Sequence, residues 1–160
     1  TINRELQETV NLRVRDHFNR LRANQIHNVA VLVVEVHSGS VLAYVGNTAS
    51  GADHNEAVDV VQAPRSTGSI LKPVLYAAML DEGKMLPRSL QPDVPTLING
   101  FAPENFSRQF DGAVPADQAL IRSLNIPAVH QLRAYRYEKF HSLLTRLGLT
   151  TLTHEPDHYG

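Results

Sequence analysis

The sequence of 160 residues contains no cysteine, which excludes disulfide bonds and thiol chemistry but is compatible with either a reducing or an oxidising compartment. It also has no excess of charge of one sign. The 15 lysines and arginines are balanced by 16 aspartates and glutamates, and these charges are spread along the chain rather than gathered in blocks. Neither nucleic acid nor acidic lipid is therefore indicated as a partner.

Long apolar runs are lacking as well. The longest, VAVLVV at 29–34, is far shorter than the ~20 residues that cross a bilayer, and the opening TINRELQETV has no secretory signal pattern. The chain does contain 42% apolar residues, which is enough for the core of one ordinary domain. We therefore expect a soluble chain, as given, with a single globular unit.

The first third of the chain carries one helical pattern and two strand patterns. Apolar residues recur every three or four positions up to Leu21, which predicts a helix that ends at about Arg22, with Asn3 as its N-cap. The β-branched runs 28–36 and 40–46, joined by a turn that contains Gly39, predict a β-hairpin.

After a polar loop, the sequence predicts only helices. The apolar run 70–80 predicts a helix buried in the middle of the domain, whereas the proline-rich stretch 83–112 predicts an extended surface loop. Shorter helices are predicted from Pro115, from Pro127 and up to Gly148. The fold class is thus α/β of the α+β type. Because a lone hairpin is marginal, we expect the remaining strands of its sheet to be missing.

A serine and a lysine stand at the start of the long apolar helix. Lys72 follows Ser69 by three positions, so the two side chains lie on one helical face. Pro73 is tolerated only in a first turn, which puts Ser69 at or next to the helix N-terminus, where negative charge is favoured. Desolvation would lower the pKa of Lys72 and let its neutral amine accept a proton from Ser69. Gly68 would leave room for a substrate.

Each of these features also has a purely structural interpretation. Ser69 could be an N-cap, with Lys72 extending its ammonium to solvent. Ser123 and Asn125 form an S-x-N pattern further along, and Asn125 could simply cap the helix before Pro127. Alone, neither pattern identifies a catalytic site.

Together, the two patterns resemble those of a known family. The string RSTGSILKP, followed by RSLNIPAV, is similar to the first two motifs of penicillin-binding proteins, in which the serine of G-S-x-x-K-P is acylated. The segments TINRELQ and PENFSRQFDG resemble the class A members, bifunctional enzymes of the bacterial cell wall. This likeness covers essentially the whole chain. It implies the transpeptidase fold that penicillin-binding proteins share with serine β-lactamases.

The resemblance implies a role for each site residue. Ser69 would attack the D-Ala-D-Ala carbonyl of a peptidoglycan stem peptide and pass the acyl group to an amine, and β-lactam antibiotics would trap it. Ser123 would shuttle a proton between Lys72 and the leaving group. Asn125 would bind both Lys72 and the substrate amide, with Gly68 beside the substrate. No cofactor and no metal are implied.

The third motif of that family, a K-T-G triplet on an inner strand, is absent. Lysines occur only at positions 72, 84 and 139, and none of them begins such a triplet. We therefore expect residues 1–160 to be a partial transpeptidase domain that acylates poorly without its missing remainder. The resemblance also implies a parent protein that is anchored in the bacterial inner membrane by a single span, carries a glycosyltransferase domain and acts in the periplasm.

Two other functions remain open at this level. The same fold hydrolyses its acyl-enzyme in D,D-carboxypeptidases and β-lactamases. A catalytically silent module would instead bind a muropeptide or a β-lactam without turnover. An amine acceptor that receives the acyl group would distinguish transpeptidation from both.

The letters HEPDH at 154–158 match the zinc-protease pattern H-E-x-x-H. That chemistry requires both histidines on one continuous helix. Pro156 disfavours helical geometry at Glu155 and could only lie in a first turn, which leaves His154 outside the helix. We therefore expect a chance match rather than a metal site.

Overall fold

The chain forms two compact units, Thr1–Ser66 and Thr67–Gly160, in a computed structural model that describes residues 2–156. The first unit holds a helix and a hairpin, and the described part of the second holds four helices and a second pair of strands. Within residues 2–156, no helix combines the length and the apolar character needed to span a bilayer.

Helix α1, Arg4–Leu21, opens the first unit and ends within one residue of the predicted position. The predicted N-cap is confirmed, because the side chain of Asn3 accepts a hydrogen bond of 3.0 Å from the backbone N–H of Leu6. Val14 and Phe18 form the buried face of the helix.

The predicted hairpin is also confirmed. Strands β1, Val31–Val34, and β2, Val41–Val45, pair antiparallel, and Gly39 in the connecting turn has a φ of 67° that favours glycine. Gln7 fastens α1 to this hairpin: its side chain accepts from the backbone N–H of Tyr44 at 2.8 Å and donates to its carbonyl at 3.1 Å.

The second unit begins with a 3-10 turn, Gly68–Leu71, that runs directly into helix α2, Lys72–Asp81. The expectation that this helix is buried on all sides is wrong. Leu75 and Met79 are buried, but Ala77 on the helix is exposed, and so is Ile70 in the turn before it. Within this unit α2 contacts two later helices, α3, Ala116–Ile121, and α4, Asn125–Tyr135, and these two leave part of its surface uncovered. The core consists of buried apolar residues of the helices and of the segment after α2: Leu75, Met79, Met85, Ala116, Tyr135, Phe140 and Leu144.

Three short helices complete the unit much as predicted. They are α3, Ala116–Ile121, α4, Asn125–Tyr135, and α5, Tyr137–Arg146. Pro127, which we expected at the first position of its helix, is instead the third residue of α4. The turn between α3 and α4 is the part of this arrangement that bears on the site.

The predicted loop 83–112 is wrong in one respect, because it contains a strand. Strand β3, Leu90–Asp93, pairs antiparallel with β4, Gly112–Pro115, and Asp93 lies opposite Gly112. The strands are only four residues long and contain prolines, which an edge strand tolerates but which obscure a strand pattern in the sequence. Their pairing buries the Asp93 side chain completely.

The core described above predicts that two phenylalanines contribute differently to the free energy of unfolding. Phe140 is 8% exposed and meets the ring of Tyr135 edge to face, whereas Phe106 is fully exposed. We expect Phe140→Ala to lower the free energy of unfolding of the second unit by about 3–5 kcal/mol, because it leaves a cavity. Phe106→Ala, the matched control, should change it by less than about 0.5 kcal/mol. Urea denaturation followed by circular dichroism measures both, and equal losses would contradict the core described here.

Candidate active site

The amine of Lys72 is the point at which the two sequence motifs meet. Its Nζ donates to the carbonyl oxygen of Ser123 at 2.7 Å and to Oδ1 of Asn125 at 2.7 Å. The hydroxyl of Ser123 lies 3.3 Å from the same nitrogen. These partners are 51 and 53 residues away along the chain, so folding brings three predicted site residues together.

Ser69 lies in the 3-10 turn just before α2 and is exposed. Its carbonyl accepts the backbone N–H of Lys72, so the two residues share one helical turn, as expected. The N-cap position of α2 is Leu71, and no side chain caps the helix there. The capping interpretation of Ser69 therefore does not describe α2, and Lys72 does not simply extend to solvent.

Gly68 precedes the serine with a φ of 55°, in the left-handed region that other residues rarely adopt. A Cβ placed on this residue would meet no atom within 4 Å. The backbone conformation of the turn, and not crowding, therefore favours glycine at this position, and the space beside it is open.

Burial lowers the pKa of the Lys72 amine below its ordinary value. Desolvation has this effect because it disfavours the charged form of the amine. The pocket beside the lysine is lined mainly by apolar residues of α3, of α4 and of the turn between them: Ala119, Leu120, Leu124, Pro127 and Ala128. The site therefore favours a neutral amine more than water does.

Ser123 occupies the turn between α3 and α4 with a φ of 53°, an unusual value for a residue other than glycine. A left-handed conformation of this kind costs about 1–3 kcal/mol. In this conformation, the carbonyl and the hydroxyl of Ser123 both lie within hydrogen-bonding distance of Lys72.

Asn125 is the first residue of α4, and its side chain is fixed at both ends. Its Oδ1 accepts from Lys72, while its Nδ2 donates to the carbonyl of Glu104 at 2.8 Å. Its backbone N–H donates to the side chain of Asn105, also at 2.8 Å. The sequence patterns did not point to residues 104 and 105. The resemblance of PENFSRQFDG to the family was the signal that could have found them.

The HEPDH pattern is only partly within the described residues, because His158 lies outside them. His154 and Glu155 are not part of a helix. Between residues 2 and 156, no group of three or more histidines, aspartates and glutamates is placed to hold a metal ion.

Comparison with known proteins agrees with these motifs. Residues 29–158 match the family model described as the penicillin binding protein transpeptidase domain. Penicillin-binding protein 1C of Escherichia coli K12 is 40% identical over 76% of this chain, which spans only 16% of that protein. The details of RSTGSILKP and of LTTLTHEPDHYG suggest a likeness to that same protein, and the match confirms it.

Solved structures give the same fold. Penicillin-binding protein 1A from Haemophilus influenzae has a TM-score of 0.66 and 25% identity, over 77% of this chain and 19% of that one. The PonA1 protein from Mycobacterium tuberculosis, solved in complex with penicillin V, has a TM-score of 0.61 and 19% identity, over 91% of this chain and 46% of that one. The expected transpeptidase fold is confirmed.

The contact between Asn125 and Lys72 predicts that a substitution at Asn125 changes the pKa of the Lys72 amine. We expect Asn125→Asp to raise the pKa of the Lys72 amine, because a carboxylate in place of the amide favours the ammonium form. In the parent chain, this pKa should lie below its value in the urea-denatured chain, because burial lowers it.

The pH dependence of acetylation, read by mass spectrometry at each lysine, measures both effects. Lys84 and Lys139, which pair with Glu82 and not with Asn125, serve as internal controls. An unchanged pKa of Lys72 in the variant would contradict the contact between the two side chains.

Proposed function

The chain belongs to the penicillin-binding protein transpeptidase domain family, and on that premise we propose that its Ser69 is the nucleophile of a serine D,D-transpeptidase. The single observation that carries the proposal is the Lys72 amine, whose pKa is lowered by burial and which is held by Ser123 and Asn125. A nucleophilic serine needs an adjacent base, and this amine is three residues away.

The partners of Lys72 suit a neutral amine that acts as a base. A neutral amine has two N–H donors and one lone pair. The carbonyl of Ser123 and the Oδ1 of Asn125 can only accept, so they take both donors. The hydroxyl of Ser123 can donate or accept, so it remains compatible with the amine in either protonation state. Ser123 thus supports a proton relay without any rearrangement of the other two contacts.

Acylation then follows from these groups. Ser69 Oγ bonds to the substrate carbonyl carbon while its proton passes to Lys72 Nζ, which gives a tetrahedral intermediate. The intermediate collapses as the C–N bond to the terminal D-alanine breaks, and the departing amine takes the proton from Lys72 by way of Ser123. In a β-lactam the broken C–N bond belongs to the ring, so the amine stays attached and the ester persists.

Transfer reverses these steps with a new amine. The amine of a second stem peptide attacks the ester carbonyl and loses a proton to Lys72. The C–O bond to Ser69 then breaks as the new amide forms, and Ser69 Oγ takes that proton from Lys72. If water replaced the amine, the same site would act as a carboxypeptidase or β-lactamase. The 40% identity to penicillin-binding protein 1C favours transfer, and product analysis with and without an added amine decides between the two.

The proposed substrate implies the partners of this activity and its location in the cell. Peptidoglycan stem peptides that end in D-Ala-D-Ala, and β-lactams, are the proposed partners, and the extracytoplasmic face of the inner membrane is the proposed location. We propose that residues 1–160 supply the part of a transpeptidase domain that carries its first two motifs. A strand bearing K-T-G would complete the site with substrate contacts and an oxyanion donor.

The nucleophile can be tested by covalent labelling. In the full-length protein as the cell makes it, a labelled penicillin should attach to Ser69, and Ser69→Ala should abolish the labelling because no other serine or threonine stands one helical turn from Lys72 along this segment. Ser142→Ala, which changes an exposed serine on α5, should label like the parent. Tryptic mass mapping locates the label, and undiminished labelling of Ser69→Ala would refute the assignment.

The base can be tested by a change that keeps the positive charge. We expect Lys72→Arg to slow acylation by about 100-fold or more, because arginine cannot give up its proton in a protein and general-base catalysis contributes at least that factor. Lys139→Arg, whose partner is Glu82 and not a residue of the site, is the matched control and should acylate normally. The second-order rate of penicillin labelling is measured for each variant. Near-normal acylation by Lys72→Arg would remove Lys72 from the mechanism.

A further inference from the structure

Asn105 lies behind the site, 3% exposed, and uses all of its hydrogen-bonding capacity. Its Oδ1 accepts the backbone N–H groups of Asn125 at 2.8 Å and of Ile126 at 3.4 Å. Its Nδ2 donates to Oδ1 of Asp93 at 2.7 Å and to the carbonyl of Gln109 at 2.9 Å. The amide therefore has only one orientation that satisfies every partner.

These contacts cap α4 from a distant part of the chain. The first N–H groups of a helix have no partner within it, and the N-cap residue of α4, Leu124, has no side chain able to provide one. Asn105, 20 residues before Asn125, provides that acceptor instead. The start of α4 is therefore placed by Asn105.

The same segment also orients the Asn125 side chain. The carbonyl of Glu104 accepts the Asn125 Nδ2, which directs the opposite atom of that amide, Oδ1, to Lys72. Residues 104 and 105 thus hold Asn125 by its side chain and by its backbone, on the side away from the amine.

Asp93 fixes Asn105 in turn. Its fully buried carboxylate accepts from Asn105 through one oxygen and from the backbone N–H of Asp111, at 3.0 Å, through the other. The side chain of Asp111 pairs with Arg122, the residue before Ser123. The network therefore reaches both ends of the turn that binds Lys72.

We propose that Asn105, held by Asp93, is a positioning residue for acylation: it fixes the start of α4, where Asn125 stands, and thereby places the amine of Lys72. This inference rests on the proposed function, because its effect is read in the acylation of Ser69. The simpler alternative is that Asn105 only stabilises the helix.

Exchanging the two side chains separates these possibilities. Asn105→Asp keeps the acceptor for α4 but places its carboxylate against that of Asp93. In Asp93→Asn, the new amide has only one oxygen for two donors, the Asn105 side chain and the backbone N–H of Asp111, so one donor meets its NH2 group. In the double variant, Asn105→Asp with Asp93→Asn, the amide at 93 can donate to the carboxylate at 105. It can still accept from the N–H of Asp111. The contact with the carbonyl of Gln109 is not restored, because a carboxylate oxygen at 105 then faces that carbonyl.

The experiment measures the second-order rate of labelling by a fluorescent penicillin in the full-length protein, at a temperature where circular dichroism shows each variant folded. We expect each single change to slow acylation about 10- to 100-fold, as a misplaced catalytic group does, and the double variant to recover at least about tenfold of that loss. Asn3→Asp, the same exchange at the N-cap of α1, should leave the rate unchanged.

Single variants that acylate at the parent rate, or a loss that the folded double variant does not recover, would overturn the inference. If a single variant does not fold, a folded double variant within about tenfold of the parent rate supports it, and a slower one overturns it. If the parent itself were not labelled at Ser69, the proposed function would fail and this inference with it. A labelled parent with unaffected variants would overturn this inference alone.

Discussion

The site depends on how a partly buried amine is held between helices. Lys72 begins α2, and its partners Ser123 and Asn125 flank the start of α4, so the amine is correctly placed only when α2 and α4 are correctly packed. The apolar core formed by Leu75, Met79 and their neighbours sets that packing. Burial of the lysine is thus a result of the fold and, through the lowered pKa, the source of its basicity.

Groups behind the turn hold the partners of the lysine in place. Ser123 keeps a left-handed backbone, which persists only where its surroundings determine it, and α3 and α4 bound the turn on both sides. The Asp93–Asn105 pair is buried, so a donor or acceptor left without a partner there would lower the free energy of unfolding. A buried polar network with all its members paired is rigid, which is the property that a general base requires of its support.

The sequence alone predicted the local elements of the site, and the family resemblance implied the non-local contact of Asn125 with Lys72. Neither pointed to β3, β4 or Asn105. Ser69 and Lys72 were placed by Pro73 and by helical spacing, which depend on neighbouring residues alone. Strands β3 and β4 were missed because they are short, contain prolines and pair across a long connection. The role of Asn105 was missed for the same reason, since nothing in its neighbourhood indicates that it caps a helix 20 residues later. The apolar helix at 70–80 was expected to be fully covered because composition does not indicate which neighbours surround a helix.

The long connection between β3 and β4 affects the order in which the parts of the chain fold. Helices form from contacts close in sequence, whereas the pairing of Asp93 with Gly112 must first close the whole segment between them. Asn105 lies within that segment, so α4 has no acceptor at its start until the strands meet. We therefore expect the helices to form before the amine of Lys72 is correctly held, so that catalytic competence comes late in folding.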